Sequence, residues 1–204
     1  MSVETHGHSN PHHEHPDVVG SRNRLGVILI LVADIAMALS VLFVYFYLKG
    51  QNVNDMWLPA ATEDSPAILA LSSKGTWYIT ALAGLGAAAH FYGLKGARAK
   101  NATQLVLGGG VALVFSIAAL VYQFMQISSA PFTTTSGAYA SCYFLIAGLN
   151  ALHLVLTVFI ALGNWNRSRL GIYAADHWHV DIVNVWWIWM TVSSLLGAFA
   201  LSFA

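Results

Sequence analysis

The sequence has few charged side chains and almost no cysteine. Of its 204 residues, nine are Lys or Arg and nine are Asp or Glu, so only 9% are charged. Soluble domains carry roughly 25% charged residues, and the composition therefore argues against a soluble enzyme. A formal net charge of zero provides no basic surface for nucleic acid. The single cysteine, Cys142, excludes an intrachain disulfide framework and a cysteine-based metal cage.

The sequence contains long apolar stretches in which charged residues are rare. A helix needs roughly 20 mostly apolar residues to cross a bilayer core, because lipid satisfies no backbone polar group. Five stretches meet this length, at about residues 25–48, 76–94, 103–127, 138–162 and 180–203. We therefore predict an all-α polytopic membrane protein, with a five-helix transmembrane domain over residues 25–204. The first stretch is too long for a signal-peptide core and lacks a small-residue cleavage site, so we expect it to be retained.

Residues 1–24 form a polar segment ahead of the first span. Five histidines fall within ten residues there: His6, His8, His12, His13 and His15. Because the segment has prolines and few apolar residues, we predict a disordered tail. Weak zinc or copper binding by these histidines is the alternative.

The basic residues predict the orientation of the bundle, since Lys and Arg near span ends stay in the cytoplasm. Seven of the nine fall on one side: Arg22, Arg24, Lys95, Arg98, Lys100, Arg167 and Arg169. Lys49 and Lys74 fall on the other side. We therefore predict a cytoplasmic N-terminus, a C-terminus outside, and a location in the bacterial inner membrane.

Ionisable residues inside the spans are candidate functional residues, because they are costly in lipid and usually have a partner. Asp34 and His153 each lie about 13 Å from the cytoplasmic end of their spans, at about 1.5 Å per residue. His90, His179 and Asp181 lie nearer that end. The five predict a polar layer in the cytoplasmic half, for proton handling or for a lipid headgroup. The alternative is that each reaches the interface or forms an interhelical hydrogen bond.

A haem or metal site is a further alternative. His90 and His153 are the two histidines deep enough to act as axial haem ligands. Copper or non-haem iron needs three or more converging ligands, and the sequence spacing does not support such a set. We therefore predict no metal site and no catalytic residue in this chain.

Small and aromatic residues indicate where helices pack. Gly84 and Ala88 lie in the second span, where small side chains let helices approach closely. Trp186 and Trp187 are crowded into the last span. We interpret these four residues as candidates for packing, with the tryptophans either filling a gap between helices or facing a partner subunit.

Several motifs together resemble a known family. They are Asp34 and Tyr45 in the first span, Trp57 and Pro59 in the next loop, Gly137 to Tyr143 leading into Gly148, Leu152, His153 and Leu154 in the fourth span, and Trp178, His179, Asp181 and Trp186 in the fifth. With five spans, this arrangement is similar to subunit III of haem-copper terminal oxidases in its five-helix bacterial form. The histidine-rich tail is similar to that of some quinol-oxidase members.

The chain departs from the family pattern at three places. The family usually has two histidines in the fourth span, and here Asn150 occupies the position of the first. Gln123 stands where members commonly carry a glutamate near the outer end of the third span. Asp181 follows His179 by two residues, whereas the family acid follows by three. The sequence therefore resembles a divergent member of this family.

The resemblance implies a subunit without a redox centre of its own. Such a subunit packs against catalytic subunit I, alongside subunit II, within a complex that holds haem and copper and takes electrons from cytochrome c or a quinol. It binds phospholipid and supports proton uptake while the complex reduces oxygen to water. An accessory subunit of a nitric oxide reductase is the nearest alternative. A bis-histidine membrane cytochrome, a small transporter and an unrelated scaffold are alternatives of other classes.

Overall fold

The computed structural model describes residues 16–62, 67–174 and 177–203. Within these ranges the chain forms five α-helices, α1 (Pro16–Gln51), α2 (Lys74–Arg98), α3 (Ala102–Ser128), α4 (Ala138–Arg169) and α5 (Trp178–Leu201). Short 3-10 turns lie at Val53–Asp55 and Ile172–Ala174, and the described ranges contain no strand. The all-α prediction is confirmed for this part of the chain. The five histidines of the predicted tail, together with Glu63, Asp64 and Pro66, lie outside it.

The helix ends follow local chemistry. α1 is already helical at Pro16, the first described residue, so it extends into the segment predicted as a disordered tail. The side chain of Asn101 caps α3 by accepting a hydrogen bond from the Gln104 amide at 3.1 Å. Gly171, with a φ of 70°, lies in the turn after α4. A helix can continue beyond the lipid, and so the predicted span at residue 25 does not mark the start of α1.

Four of the helices, α1, α3, α4 and α5, are long and apolar enough to cross a membrane. α2 has 25 residues but does not reach that hydropathy. It carries five glycines, His90 and three basic residues, and these lower its mean hydropathy. The four apolar helices support a membrane protein, while the fifth span remains a prediction.

Glycine allows α2 and α3 to lie in close contact. A Cβ added at Gly108 would lie 2.5 Å from the backbone nitrogen of Gly93, and 2.7 Å from the carbonyl oxygen of Ala89. Real side chains do not tolerate such distances to backbone atoms. The two helices therefore touch backbone to backbone at this point, as small residues permit in membrane proteins.

The bundle has two chemically different ends. We call the end that carries Arg24, Arg98 and Arg167 the basic end, and the opposite end, built around Tyr45, Trp57 and Tyr139, the aromatic end. Trp57, from the loop after α1, makes edge contacts with Tyr45 at 5.1 Å and with Tyr139 at 5.7 Å between ring centroids. The Tyr139 hydroxyl accepts a hydrogen bond from the Leu71 amide at 2.9 Å. These contacts attach the long α1–α2 loop to the helices.

α1 is the most peripheral helix. In its most apolar 18-residue stretch only 11% of the residues are buried, against 44% in α4. Its buried residues Leu31 and Ala38 pack against Trp186 and Trp189 of α5. The remaining apolar surface of α1 is available to lipid or to another subunit.

Candidate functional site

A hydrogen-bonded carboxylate–imidazole pair, largely buried, joins α1 to α4. The Nε2 atom of His153 lies 3.0 Å from Oδ1 and 2.9 Å from Oδ2 of Asp34. Trp189 Nε1 of α5 donates a hydrogen bond to Asp34 Oδ2 at 2.5 Å. The His153 side chain is 3% exposed and that of Asp34 15%. The two residues that the sequence places at equal depth are therefore partners, and a third helix supplies a donor to the carboxylate.

Further side chains of α4 and α5 hold the imidazole of His153. Ser193 Oγ lies 3.4 Å from His153 Nδ1. The ring of Trp186 meets that of His153 edge-on, with centroids 6.0 Å apart, and its Nε1 donates to Thr157 Oγ1 at 2.9 Å. Thr157 in turn donates to the His153 carbonyl at 2.7 Å.

Sequence reasoning missed three members of this site, Trp189, Ser193 and Thr157. A signal was present, because Trp186, Trp189 and Ser193 are spaced by three and four residues and so share one face of α5. Thr157 lies four residues after His153 on α4, on the same face.

His90 belongs to a different part of the bundle. Its Nε2 lies 3.3 Å from the carbonyl oxygen of Val180, and its ring stacks on Trp187 with centroids 5.9 Å apart. Because His90 Nε2 and both ring nitrogens of His153 already have protein partners, the geometry does not support the alternative of haem held between them. In the described ranges no three His, Cys, Asp or Glu side chains converge as a metal site would require.

A polar cleft lies at the basic end, beside α1. Arg98 Nη2 of α2 donates to Asp181 Oδ1 of α5 at 2.5 Å, and His177 Nε2 lies 3.6 Å from Asp181 Oδ2. These three side chains line a cavity of about 700 Å³, together with Gly20, Ser21, Arg24, Trp178, Ile182, Asn184 and Val185. Two guanidinium groups and one carboxylate leave the cleft with excess positive charge.

A second groove lies on the other side of the contact between α1 and α5. It measures about 350 Å³ and its lining includes Phe159, Ile160, Arg167, Tyr173 and His179. Burial raises the pKa of Tyr173, an effect that the Arg167 guanidinium above its ring partly offsets. Tyr173 therefore remains a neutral hydrogen-bonding group. The structure divides the predicted polar layer into the Asp34–His153 pair, His90, the Asp181 cleft and the His179 groove.

A cluster of uncharged polar side chains lies closer to the aromatic end. Asn150 Nδ2 donates to Gln123 Oε1 at 2.6 Å, and Gln126 Nε2 donates to Thr76 Oγ1 at 3.2 Å. Buried amides therefore also lie outside the predicted polar layer. Gln123 and Asn150 form one neutral pair. In the sequence analysis they are two separate departures from a family pattern.

The four packing candidates have different environments. Trp186 and Trp187 are buried between helices of this chain, with exposures of 9% and 1%. A Cβ added at Gly84 would lie 3.8 Å from Thr191 of α5, so this glycine faces the neighbouring helix. Ala88 is exposed. The tryptophans therefore fill gaps within the bundle, and packing against a partner subunit stays a prediction.

Comparison with known proteins places these features in a family context. The family model for cytochrome c oxidase subunit III matches residues 4–198. The chain is 28% identical over 205 residues to "Cytochrome c oxidase subunit 3" of Marchantia polymorpha, covering 88% of this chain and 70% of the relative. It is 26% identical over 194 residues to the protein of the same name from Synechocystis sp., covering 89% and 78%. A relative from Prototheca wickerhamii is 23% identical over 202 residues, covering 89% and 71%.

Proposed function

We propose that this chain, which belongs to the cytochrome c oxidase subunit III family as a divergent member, is the non-catalytic subunit III of a respiratory haem-copper oxidase. The match to the family over residues 4–198 is the observation that carries the proposal. Haem and copper then belong to the catalytic partner, which reduces oxygen to water with electrons from cytochrome c or a quinol. Together with subunit II, this chain stabilises the catalytic partner. It packs on the side of that partner that faces lipid.

We place the complex in a bacterial inner membrane, with all five helices crossing it. α2 crosses despite its glycines, because it lies between α3 and α5 and its His90 is buried among them. The basic end faces the cytoplasm, in agreement with the excess of Lys and Arg there. The C-terminus then lies outside.

The cleft at the basic end suits the headgroup of an anionic phospholipid. Arg24, Arg98 and His177 supply donors for a phosphate. Trp178 and Ile182 provide an apolar wall along which an acyl chain lies. This arrangement is the physical basis for proposing that the subunit binds phospholipid.

The Asp34–His153 pair is the candidate for supporting proton uptake. A carboxylate held by an imidazole and an indole N–H in a buried site can exchange a proton without leaving an unpaired charge. Replacing Asp34 with Asn keeps the size of the side chain and removes its charge. We expect the Asp34→Asn complex to assemble and to lose part of its proton pumping. Unchanged turnover and unchanged pumping would contradict this role.

The function is tested by gentle purification through a C-terminal affinity tag. We expect a haem-copper catalytic subunit to co-purify, while the tagged chain expressed alone remains colourless. Oxygen and nitric oxide turnover by the purified complex then distinguish an oxidase from a nitric oxide reductase. A chain that purifies without partners and shows a bis-histidine haem spectrum would overturn the proposal.

A further inference from the structure

The far side of the His153 ring faces a hydroxyl group. With Nε2 directed at Asp34, the second nitrogen, Nδ1, lies 3.4 Å from Ser193 Oγ. A serine hydroxyl both donates and accepts hydrogen bonds. Asp34, His153 and Ser193 therefore form a continuous hydrogen-bonded row across α1, α4 and α5.

The row continues into a small cavity. Ser193 lines a space of about 30 Å³ between α1, α4 and α5. Asn150 lines the same space, and apolar side chains such as Ala38, Val41 and Ile146 form much of its remaining wall. A water molecule needs room for a sphere of its own size and two or more polar partners. The cavity thus has the size and the polar groups for one water.

Asn150 has a side-chain acceptor without a donor in the part of the chain that the structure describes. Its residue is 8% exposed, and its Nδ2 is occupied by Gln123 Oε1. No protein group in the described ranges donates to its Oδ1. A buried carbonyl oxygen without a donor is costly, and a water in the cavity would supply one.

We propose that Ser193 relays protons between a water in this cavity and the Asp34–His153 pair. An excess proton carried by this water passes to Ser193 Oγ while the Ser193 hydroxyl proton passes to His153 Nδ1. The steps leave a neutral water and an imidazolium beside the Asp34 carboxylate. Proton release follows the reverse steps. The proposal deepens the proton role given above to Asp34 and rests on it.

The test measures hydrogen exchange at the His153 ring. The full chain, labelled with ¹⁵N-histidine, is reconstituted in bilayers of phosphatidylethanolamine and phosphatidylglycerol. Solid-state NMR then reports solvent exchange of the imidazole N–H, with the His153 signals assigned by their loss in His153→Gln. We expect Ser193→Ala to slow this exchange at least about tenfold, because a positioned relay group speeds proton transfer by that much or more. Ser193→Thr, which keeps a hydroxyl, restores the exchange rate.

The neighbouring serine provides a matched control. Ser194 faces α2, where its Oγ lies 3.2 Å from Thr80 Oγ1, so Ser194→Ala leaves the exchange rate unchanged. Asn150→Leu, which fills the cavity with an apolar side chain, slows exchange as Ser193→Ala does. Should Ser193→Ala fail to fold, Asn150→Leu decides the outcome. A wild-type exchange rate at His153 in Asn150→Leu, or in Ser193→Ala, would overturn the relay.

Failure of the relay is distinguishable from failure of the proton role. Exchange at His153 is measured without turnover, whereas the role of Asp34 is measured by pumping in the complex. If Asp34→Asn lowers pumping but Ser193→Ala does not change hydrogen exchange at His153, the relay is wrong and the proton role stands. If exchange depends on Ser193 while Asp34→Asn pumps normally, the relay exists but does not serve pumping.

Discussion

α2 and α3 are held together in a different way from α1 and the remaining helices. Gly93 and Gly108 bring α2 and α3 into backbone contact without any charge. α1 is instead attached by the hydrogen-bonded pair of Asp34 and His153, flanked by cavities at its basic end and beside Ala38. In lipid, apolar surface provides no preference for one helix neighbour over another, so close packing and polar contacts provide the preference.

The difference shows how one bundle can combine a rigid pair of helices with a more loosely attached one. Besides the packing of its buried residues on α5, α1 contacts the rest of the chain at Gly20 against Trp178, Asp34 against His153, and Tyr45 against Trp57. Cavities lie between these contacts, at the basic end and beside Ala38. Within this chain α1 is therefore less tightly packed than the α2–α3 pair.

We expect the largest loss of stability when a substitution separates α2 from α3. Gly108→Val places a branched side chain where a single Cβ already meets the Gly93 backbone at 2.5 Å. Backbone atoms cannot rotate away, so the helices must part. We expect a loss of about 3 kcal/mol in the free energy of unfolding, at the upper end of overpacking costs. Titration with a denaturing detergent, followed by circular dichroism, measures it.

Gly148→Val is the matched control for this substitution. Gly148 lies in a helix of the same bundle, but an added Cβ there has no neighbour within 4 Å. We expect its effect on stability to stay within about 0.5 kcal/mol. Equal losses in the two variants would show that helix propensity, rather than contact between helices, explains the cost.

The second prediction removes the polar attachment of α1. Asp34→Ala takes the acceptor away from two donors, Trp189 Nε1 and His153 Nε2. We expect a loss of about 2 kcal/mol, because an orphaned buried donor costs about 1 to 3 kcal/mol. Ser40→Ala on the exposed face of α1 is the control and should change little. A stability equal to wild type in Asp34→Ala would mean that the pair does not hold α1.

The smallest effect is expected at the ion pair of the basic end. The Arg98 and Asp181 side chains are 57% and 33% exposed, so water and salt screen their interaction. Arg98→Gln should therefore cost about 0.5 kcal/mol or less in stability. Its effect on lipid should be larger, because one of two guanidinium groups leaves the cleft. Native mass spectrometry with phosphatidylglycerol measures the loss, with Arg22→Gln, outside this cavity lining, as the control.

Sequence patterns predicted the helices more completely than the site. The five predicted spans correspond to the five helices, because an apolar stretch of helical length is a local property. The equal depth of Asp34 and His153 also followed from counting residues along each span. Trp189 and Ser193 were missed, because a residue count gives depth but not the rotation of a helix about its axis. The pairing of Gln123 with Asn150 was missed for the same reason.

Composition and hydropathy alone therefore determined the class of this protein and the order and approximate bounds of its helices, together with the levels at which its few polar residues lie. Only the tertiary structure decided which of those residues meet. Arg98 reaches Asp181 across 83 positions of sequence, and Asp34 reaches Trp189 across 155. The physical reason is that satisfying backbone groups in lipid is a local requirement. The choice of neighbour and the rotation of each helix depend instead on all the interhelical contacts formed at once.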